Sequence, residues 1–485
     1  MSEHERRAVP SALFAVGAVL TVSLVAIFYL RHGYPGPGGR VWFGDSVSFQ
    51  FYSVSRSLGH SPGYPQYLWL IRSLTKVPFG QAWQKVNFVS SLCSALALAA
   101  YCALCRQLSM PLWAAWLSAL VLGLSKTFFC QATEAEVYAL NSLWLFSCLA
   151  LFARYLNTRT RRALWAFFVA YGLSLGHHPT MVLVVPAVVV TVLVHDRRVF
   201  LDYQAYLAAV LALCLGAIQY LYTYRLFVDR TLDYHWLAFQ DGRTLSDFID
   251  FSTGGPFKKA LFRQPLGTLW RDKTAQLLKL AHEQNTFLLP LLGCYGLASL
   301  PRSLGARGLF IAVCLATYAL WTLGYDVWDI EAFCTPIWAL CYLGIVPAVR
   351  TLLRAGARVT TACVVTLTLL AFWYAVVDTD TYRPENARLK AVSEYLTKVP
   401  PGAKVIPFNT ESNAALLMLF RYLHASSDSG PFELVLSPKH CVQDAYFAEA
   451  SRKYLRTKQF AERRVGHLDV SNQDFFVMDC NTVKP

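Results

Sequence analysis

The sequence predicts a polytopic α-helical membrane protein, and three observations lead to that prediction. Of the 485 residues, 55% are hydrophobic and only 15% are charged, whereas an average soluble domain carries about 25% charged residues. Apolar stretches of about 20 residues, long enough to cross a bilayer, recur between short polar breaks. Lys and Arg collect in alternate loops, as expected where positive charge sets topology. Lipid is therefore predicted to be the main solvent of this chain.

About eleven membrane-spanning helices are predicted, all within residues 1–378. The first, residues 11–30, is interpreted as a retained anchor, because no small-residue cleavage site follows it. The others are predicted near residues 86–105, 110–126, 136–154, 163–176, 179–195, 203–225, 285–300, 308–325, 331–349 and 359–378.

Positive charge predicts the orientation of these helices. If the amino terminus is cytoplasmic, every predicted inner loop is basic, from Arg106 through Arg159 to Arg354, whereas the short outer loops carry little positive charge. Two outer loops are long, at residues 31–85 and 226–284. In the first, the apolar and aromatic residues 47–58 and 67–74 predict short helices that lie in the membrane interface. The net charge of +14 therefore reflects membrane topology, and nucleic-acid binding is not expected.

An odd number of spans places residues 379–485 on the outer side, as an extracytoplasmic domain separate from the transmembrane domain at 1–378. Strand candidates at residues 404–408 and 433–436, with a helical pattern at 413–424, predict a small α/β fold. Cys441 and Cys480 are the only thiols of this tail. A disulfide and two free cysteines are both compatible with the sequence.

Ionisable side chains collect at the predicted outer ends of the helices, where a functional site is the default interpretation. Asp45, in Gly44-Asp45-Ser46, is placed to act as a general base toward a hydroxyl group; a helix N-cap is the alternative. His60 opens a turn at residues 60–65 that contains two prolines and a glycine. With Tyr64, it is predicted to form a rigid binding loop.

Residues 134–141 are predicted to open a helix in which Glu134, Tyr138 and Asn141 share one face. Acids in a first turn also suit the helix dipole, but that explains one glutamate better than Glu134 and Glu136 together. We therefore interpret these four residues as substrate-binding.

His177 and His178 form a tight predicted outer turn, where paired imidazoles suit a phosphate or a divalent metal. Phosphate is favoured over metal, and a polar interfacial anchor is the third interpretation. The last candidates are acidic residues beside aromatic side chains. We interpret them as recognising substrate hydroxyl groups, and simple solvation by water is the alternative. They are Asp326, Asp329 and Glu331.

Taken in order, these motifs resemble a large polytopic family, once catalogued as a domain of unknown function, that is now placed among the GT-C glycosyltransferases. Its eukaryotic members are protein O-mannosyltransferases acting on IPT domains. The resemblance covers about residues 10–230. The shared elements are Gly44-Asp45-Ser46, residues 60–65, Lys85-Val86-Asn87, residues 134–141 and residues 177–181.

The resemblance implies a GT-C fold, a polyprenyl- or dolichyl-phosphate sugar donor, and Asp45 as the catalytic acid of the first outer loop. Lys85, His177 and His178 are then expected to hold the donor phosphate. The sequence departs from the family at Ser48, where a second acid is usual, and at Lys85, where Arg is usual. Lysine keeps the positive charge but loses the bidentate geometry of arginine.

We therefore expect an inverting glycosyltransferase that moves a sugar to an acceptor hydroxyl, such as that of a protein Ser or Thr, on the non-cytoplasmic face. The resemblance implies that this sugar is mannose. The expected partners are the donor lipid, an acceptor protein or glycan, and membrane lipid. A lipid- or glycan-directed transferase, a transporter and a non-catalytic assembly factor are the alternatives. Since the chain has no Asn-x-Ser/Thr site, a bacterial inner membrane with a periplasmic site is favoured over an endoplasmic reticulum membrane with a lumenal one.

Overall fold

The computed structural model describes most of the amino-terminal two thirds of the chain and a few short segments beyond it. The described residues are 11–33, 36, 45–229, 231, 232, 234, 235, 244–285, 295, 298, 302, 304–327, 329–344, 404–408, 422, 425, 426, 433–434 and 475–479.

The described chain is mainly helical. The helices that precede residue 200 are α1 (Ser11–Arg31), α2 (Ser46–Val54), α3 (Pro65–Thr75), α4 (Ala82–Gln107), α5 (Leu112–Gly123), α6 (Lys126–Thr133), α7 (Val137–Thr158), α8 (Arg161–Leu175) and α9 (Val185–His195), with 3-10 turns at Pro179–Val184 and Arg197–Leu201. Those that follow are α10 (Tyr203–Val228), α11 (Leu245–Ser252), α12 (Gly255–Lys258), α13 (Leu266–Asn285), α14 (Ala306–Gly324), α15 (Ile330–Phe333) and α16 (Thr335–Leu343). The strands are β1 (Ser57–Leu58), β2 (Tyr234–His235), β3 (Lys404–Phe408), β4 (Glu433–Leu434) and β5 (Phe475–Asp479).

Long helices packed side by side form the body of the fold. Helix α4 packs along α7, α7 along α8, and α8 along α10, while α1 lies against α4 and α14 against α9. The α8–α10 contact is close because Gly172 has no side chain: a Cβ there would lie 2.5 Å from the carbonyl oxygen of Ala212. Such small residues let helix backbones approach each other in lipid, where apolar side chains gain little by leaving the solvent.

Apolar helices confirm a multi-pass membrane protein. Among the described residues, α4, α7, α10 and α14 are each long and apolar enough to span a membrane, and α5 with α6 would make a fifth, bent span. Helix α5 lies within the span predicted near 110–126, and after it the chain bends by 67° into a new helix that begins at Lys126. The total of about eleven stays a prediction, since the span at 359–378 and most of the one at 285–300 lie outside the described residues.

The first outer loop contains both predicted short helices, α2 and α3, but α2 does not lie in a membrane interface. Nearly all its side chains are buried. Phe49 packs edge-to-face on Tyr67 of α3, with ring centroids 5.0 Å apart, and Val86 and Tyr138 belong to the same apolar cluster. The aromatic content that suggested an interface is therefore used to fix this loop on the helical body.

The carboxyl-terminal strands are parallel. Strand β3 has the predicted bounds, and β4 covers only the first two residues of the predicted strand. Strand β5 was not predicted from the sequence; it pairs with the other side of β3, which gives the order β4-β3-β5. Parallel strands are typical of α/β folds, but nearly all of the predicted helix at 413–424, Cys441 and Cys480 lie outside the described residues.

The two ends of α7 allow a direct test of orientation. Glu136 caps one end, and Arg159 follows the other, so a span with the predicted direction puts residues near Glu136 outside and Arg159 inside. We expect a cysteine at Lys259, in the second long outer loop, to react with an impermeant thiol reagent in intact cells, and a cysteine at Arg162 to react only after permeabilisation. Labelling of Arg162→Cys in intact cells would reverse the orientation.

Candidate active site

A cavity of about 550 Å³ opens among the first outer loop, the turn after α8, α12 and the residues that precede α15. Its volume is in the range of small-molecule sites. Six of the predicted site residues line it: Asp45, His60, Tyr64, Tyr138, His178 and Asp329. Residues more than 280 positions apart in the chain thus meet in one site.

Asp45 is held by His60. Although Asp45 occupies the N-cap position of α2, its side chain makes no capping hydrogen bond; instead, its Oδ2 lies 2.8 Å from Nε2 of His60. The other ring nitrogen of His60, Nδ1, donates to the carbonyl oxygen of Ser61 over 2.8 Å. The Asp45 carboxylate therefore does not cap the helix, which was the alternative interpretation.

The surroundings of the His60 ring favour its protonated form. Burial lowers the pKa of His60, but the charge and hydrogen bond of Asp45, together with the carbonyl oxygen of Ser61 and the charge of Asp329, outweigh burial and the net pKa is raised. Since both ring nitrogens face acceptor oxygens, the protonated imidazolium satisfies both contacts. Among the described residues, Oδ1 of Asp45 has no hydrogen-bond donor, which leaves it available to a ligand.

The turn at residues 60–64 has the rigidity that the sequence predicts. Gly63 has a φ of +88°, and a Cβ there would lie 2.6 Å from Cγ2 of Thr223. Ser61 donates its hydroxyl to the carbonyl oxygen of Phe251, which ties the turn to α11. Tyr64 then starts α3 from the left-handed region, with φ +40°.

Two further acids surround Asp45. Glu136, immediately before α7, accepts a hydrogen bond from the hydroxyl of Ser46 at 3.2 Å. Burial raises the pKa of Glu136 well above its usual value, and the Asp45 charge adds to the effect. Burial, followed by the Asp45 charge, raises the pKa of Asp329 to about 6. Of these three acids, Asp45 is the one that is hydrogen-bonded to a histidine.

His178 presents a hydrogen-bond donor to the cavity. Its Nδ1 accepts from the backbone N–H of Thr180 at 3.3 Å, so the neutral ring carries its proton on Nε2. Burial lowers the pKa of His178 well below the usual value, which keeps the ring neutral. Tyr64 stacks on it, with ring centroids 5.7 Å apart.

The sequence did not single out Lys258 or the apolar wall of the cavity. Lys258 ends α12, lines the cavity and lies 3.2 Å from Oδ1 of Asp250. No motif or spacing in the sequence separates it from the neighbouring Lys259. The apolar wall consists of Val182, Leu183, Phe257, Leu261, Trp321, Val327 and Phe333.

Two of the three residues expected to hold a phosphate do not line the cavity. Nζ of Lys85 donates to the carbonyl oxygen of Thr75 at 3.0 Å and lies over the ring of Phe79. His177 is fully buried, and its Nε2 donates to the carbonyl oxygen of Val137 at 2.9 Å. Burial lowers the pKa of His177 to about 4, so it is neutral and packs between helices.

Four predicted substrate-binding residues also lie elsewhere. Glu134 is not helical: it ends α6 in an extended conformation, so it does not share a helix face with Tyr138. Asn141 donates to Thr180 below the cavity. Asp326 pairs with Lys273, and Glu331 accepts from Thr127. The contacts of Asn141, Asp326 and Glu331 connect structural elements within the protein.

No group of three or more His, Cys, Asp or Glu side chains suited to a metal ion occurs among the residues that the structure describes. The preference for phosphate over metal at residues 177–178 stays a prediction.

The pKa of Asp329 gives a testable pH dependence. The folded state binds its proton more tightly than the unfolded state, whose pKa is about 3.9, so stability falls as pH rises from about 4 to 6. We expect Asp329→Asn to reduce that loss by up to about 3 kcal/mol, measured as unfolding in detergent at pH 4 and pH 7.

Asp326 is the matched control, because hydrogen bonds from Lys273 and Gln264 lower its pKa. Its contribution is present above the unfolded pKa and lost as pH falls. Asp326→Asn should therefore destabilise the protein more at pH 7 than at low pH, opposite in sign to Asp329→Asn. The same sign for both variants would contradict the assigned environments.

Gly63 offers a test of the turn. Gly63→Ala should destabilise the site, because the left-handed backbone and the contacts with Thr223 and Phe251 leave no room for a methyl group. Limited proteolysis of the first outer loop would detect the change, with Gly254→Ala, also at positive φ but with open space around it, as the milder control.

The family comparison covers a part of the chain that contributes several residues to the cavity. Residues 45–200 match the family model of the protein O-mannosyl-transferase TMEM260 N-terminal domain. This range holds Asp45, His60, Tyr138 and His178. No match was found among curated protein sequences.

Solved structures with the same architecture extend the comparison. The crystal structure of ArnT from Cupriavidus metallidurans bound to undecaprenyl phosphate aligns over 88% of this chain and 94% of its own, with a TM-score of 0.60 and 12% identity. The apo structure of the same protein aligns over the same shares, with a TM-score of 0.55 and 13% identity.

At such low identity the structural matches establish the fold, and the sequence match at residues 45–200 supplies the family relation of the part that contains Asp45. The predicted resemblance is thereby confirmed. The chain has the multi-pass membrane fold of the solved ArnT structures, and its residues 45–200 are similar to the protein O-mannosyl-transferase TMEM260 N-terminal domain.

Proposed function

We propose that this protein transfers mannose from a polyprenyl-phosphate carrier to a protein Ser or Thr hydroxyl on the non-cytoplasmic side of the membrane. The observation that carries the proposal is the Asp45–His60 pair, 2.8 Å apart, at the polar side of a cavity whose other wall is apolar. The TMEM260 domain match supports the choice of sugar and acceptor.

Asp45 is the general base. Its Oδ1 takes the proton of the acceptor hydroxyl while that oxygen attacks the anomeric carbon of the sugar. The bond between this carbon and the phosphate oxygen breaks, and its electron pair leaves with the polyprenyl phosphate. Attack opposite to the leaving group inverts the anomeric configuration. His60 orients the carboxylate through Nε2–H.

The donor phosphate lies between His178 and Lys258. Nε2–H of His178 is a neutral donor, and the ammonium group of Lys258 supplies positive charge as the leaving phosphate gains negative charge. Lys85 and His177 support the fold around this site. The apolar wall from Val182 to Trp321 holds the first isoprene units, and the complex of ArnT with undecaprenyl phosphate supports a lipid of this class.

Asp45→Asn keeps the size of the side chain and removes the base. We expect transfer to fall about 10²- to 10⁴-fold, while donor binding and protein level stay near wild type. The measurement is transfer of labelled mannose from polyprenyl-phosphate mannose to protein in membranes. Asp272→Asn, an exposed carboxylate on α13, is the control. Near-normal turnover of Asp45→Asn would refute the base assignment, and label in lipid or glycan instead of protein would redirect the acceptor.

Adjacent lysines give a matched test of the phosphate site. Lys258 lines the cavity and Lys259 is exposed outside it. Lys258→Gln should weaken donor binding about tenfold or more, since a hydrogen bond to a charged group contributes about 1.5–3 kcal/mol. Lys259→Gln should bind donor normally. Equal binding by both variants would remove Lys258 from the site.

A further inference from the structure

A second cavity, of about 730 Å³, lies beside the outer end of α10 and shares no residue with the candidate active site. Four cationic side chains line it, from the segment after α2, from α3 and from α10: Arg56, Arg72, Lys76 and Arg225. No Asp or Glu is among its lining residues. A cavity with this charge selects for anions.

Arg72 gives this cavity a fixed floor. Its guanidinium donates to the carbonyl oxygens of Tyr52 and Ser57 and, at 2.5 Å, to the hydroxyl of Tyr222. These bonds join α3 to the end of α2 and to α10. Thr75, which also lines the cavity, hydrogen-bonds the carbonyl oxygen of Ser53.

Unlike Arg72, the side chains of Lys76 and Arg225 do not join structural elements. Both are exposed, and within the part of the chain that the structure describes neither forms a hydrogen bond or an ion pair. Arg56 contacts Asp229, but 65% of its side chain is exposed. Three cations therefore remain accessible above the fixed guanidinium of Arg72.

The surroundings of the cavity are those of a membrane surface. Trp69 lines it with 63% of its surface exposed, next to Tyr222 and Leu226. It lies where α10, an apolar helix long enough to span a membrane, ends at Val228. Trp, Tyr and basic side chains at the end of a span mark the headgroup layer.

We propose that this basic cavity binds the phosphate of an anionic phospholipid, with Arg225, Lys76 and Arg56 around the headgroup and Trp69 against the upper part of the acyl chains. Interfacial basic clusters attract anionic lipid by about 1 kcal/mol per cation, and the alignment of Trp69 with the end of α10 explains why a membrane lipid fits better than a free anion. The site anchors the first outer loop at the membrane surface.

The test compares the full chain, purified in neutral detergent, with phosphatidylglycerol, with phosphatidylcholine and with inorganic phosphate. Native mass spectrometry counts bound lipid, and thermal unfolding follows stabilisation. We expect phosphatidylglycerol to bind more tightly than phosphatidylcholine, and Lys76→Gln with Arg225→Gln to weaken it about fivefold for each charge removed. Lys279→Gln, an exposed cation on α13, should leave binding unchanged.

Several outcomes would overturn the proposal. One is equal binding of the two lipids, and another is binding of phosphatidylglycerol that survives in the double variant. Inorganic phosphate that binds as tightly as phosphatidylglycerol, with the same sensitivity to both substitutions, would show a free-anion site. Binding of an oligoglutamate peptide in place of lipid would assign the cavity to an acidic protein segment.

Discussion

The contact between the Asp45 carboxylate and the His60 imidazole is the constraint on which the site depends. It joins the start of α2 to a turn whose backbone only glycine tolerates at position 63, and Ser61 carries that turn on to α11. Asp45 is partly exposed and hydrogen-bonded to His60, whereas burial raises the pKa of Glu136 and Asp329.

Burial sets the protonation state of the two adjacent histidines beside the site. His177 and His178 are neutral because burial lowers their pKa, so neither brings positive charge to a phosphate. Lys258 is exposed, pairs with Asp250 and lines the cavity. In the proposed reaction, the phosphate therefore meets an exposed lysine, Lys258, and a buried neutral donor, His178.

Helix α3 relates the two cavities. Its first turn follows Tyr64, which lines the candidate active site. Its last turn carries Arg72, which forms the floor of the basic cavity. The bonds from Arg72 to Tyr52, Ser57 and Tyr222 fix the far end of the helix. Helix α3 therefore links the turn that contains His60 to the basic cavity.

The sequence by itself determined the membrane class, the helices of the first outer loop, β3, and the candidacy of Asp45, His60, Tyr64, Tyr138, His178 and Asp329, because apolar length, turn chemistry and misplaced charge are local signals. Only the tertiary structure decided which candidates meet. Asp45 pairs with His60. Five other candidates bind neighbouring elements instead, namely Lys85, His177, Asn141, Asp326 and Glu331. Glu134 follows α6 and lies outside the helix in which it was predicted. Lys258 was missed because a lysine in a polar loop carries no local mark. Whether a side chain faces a cavity or a neighbouring helix depends on packing between distant segments, which residue spacing does not encode.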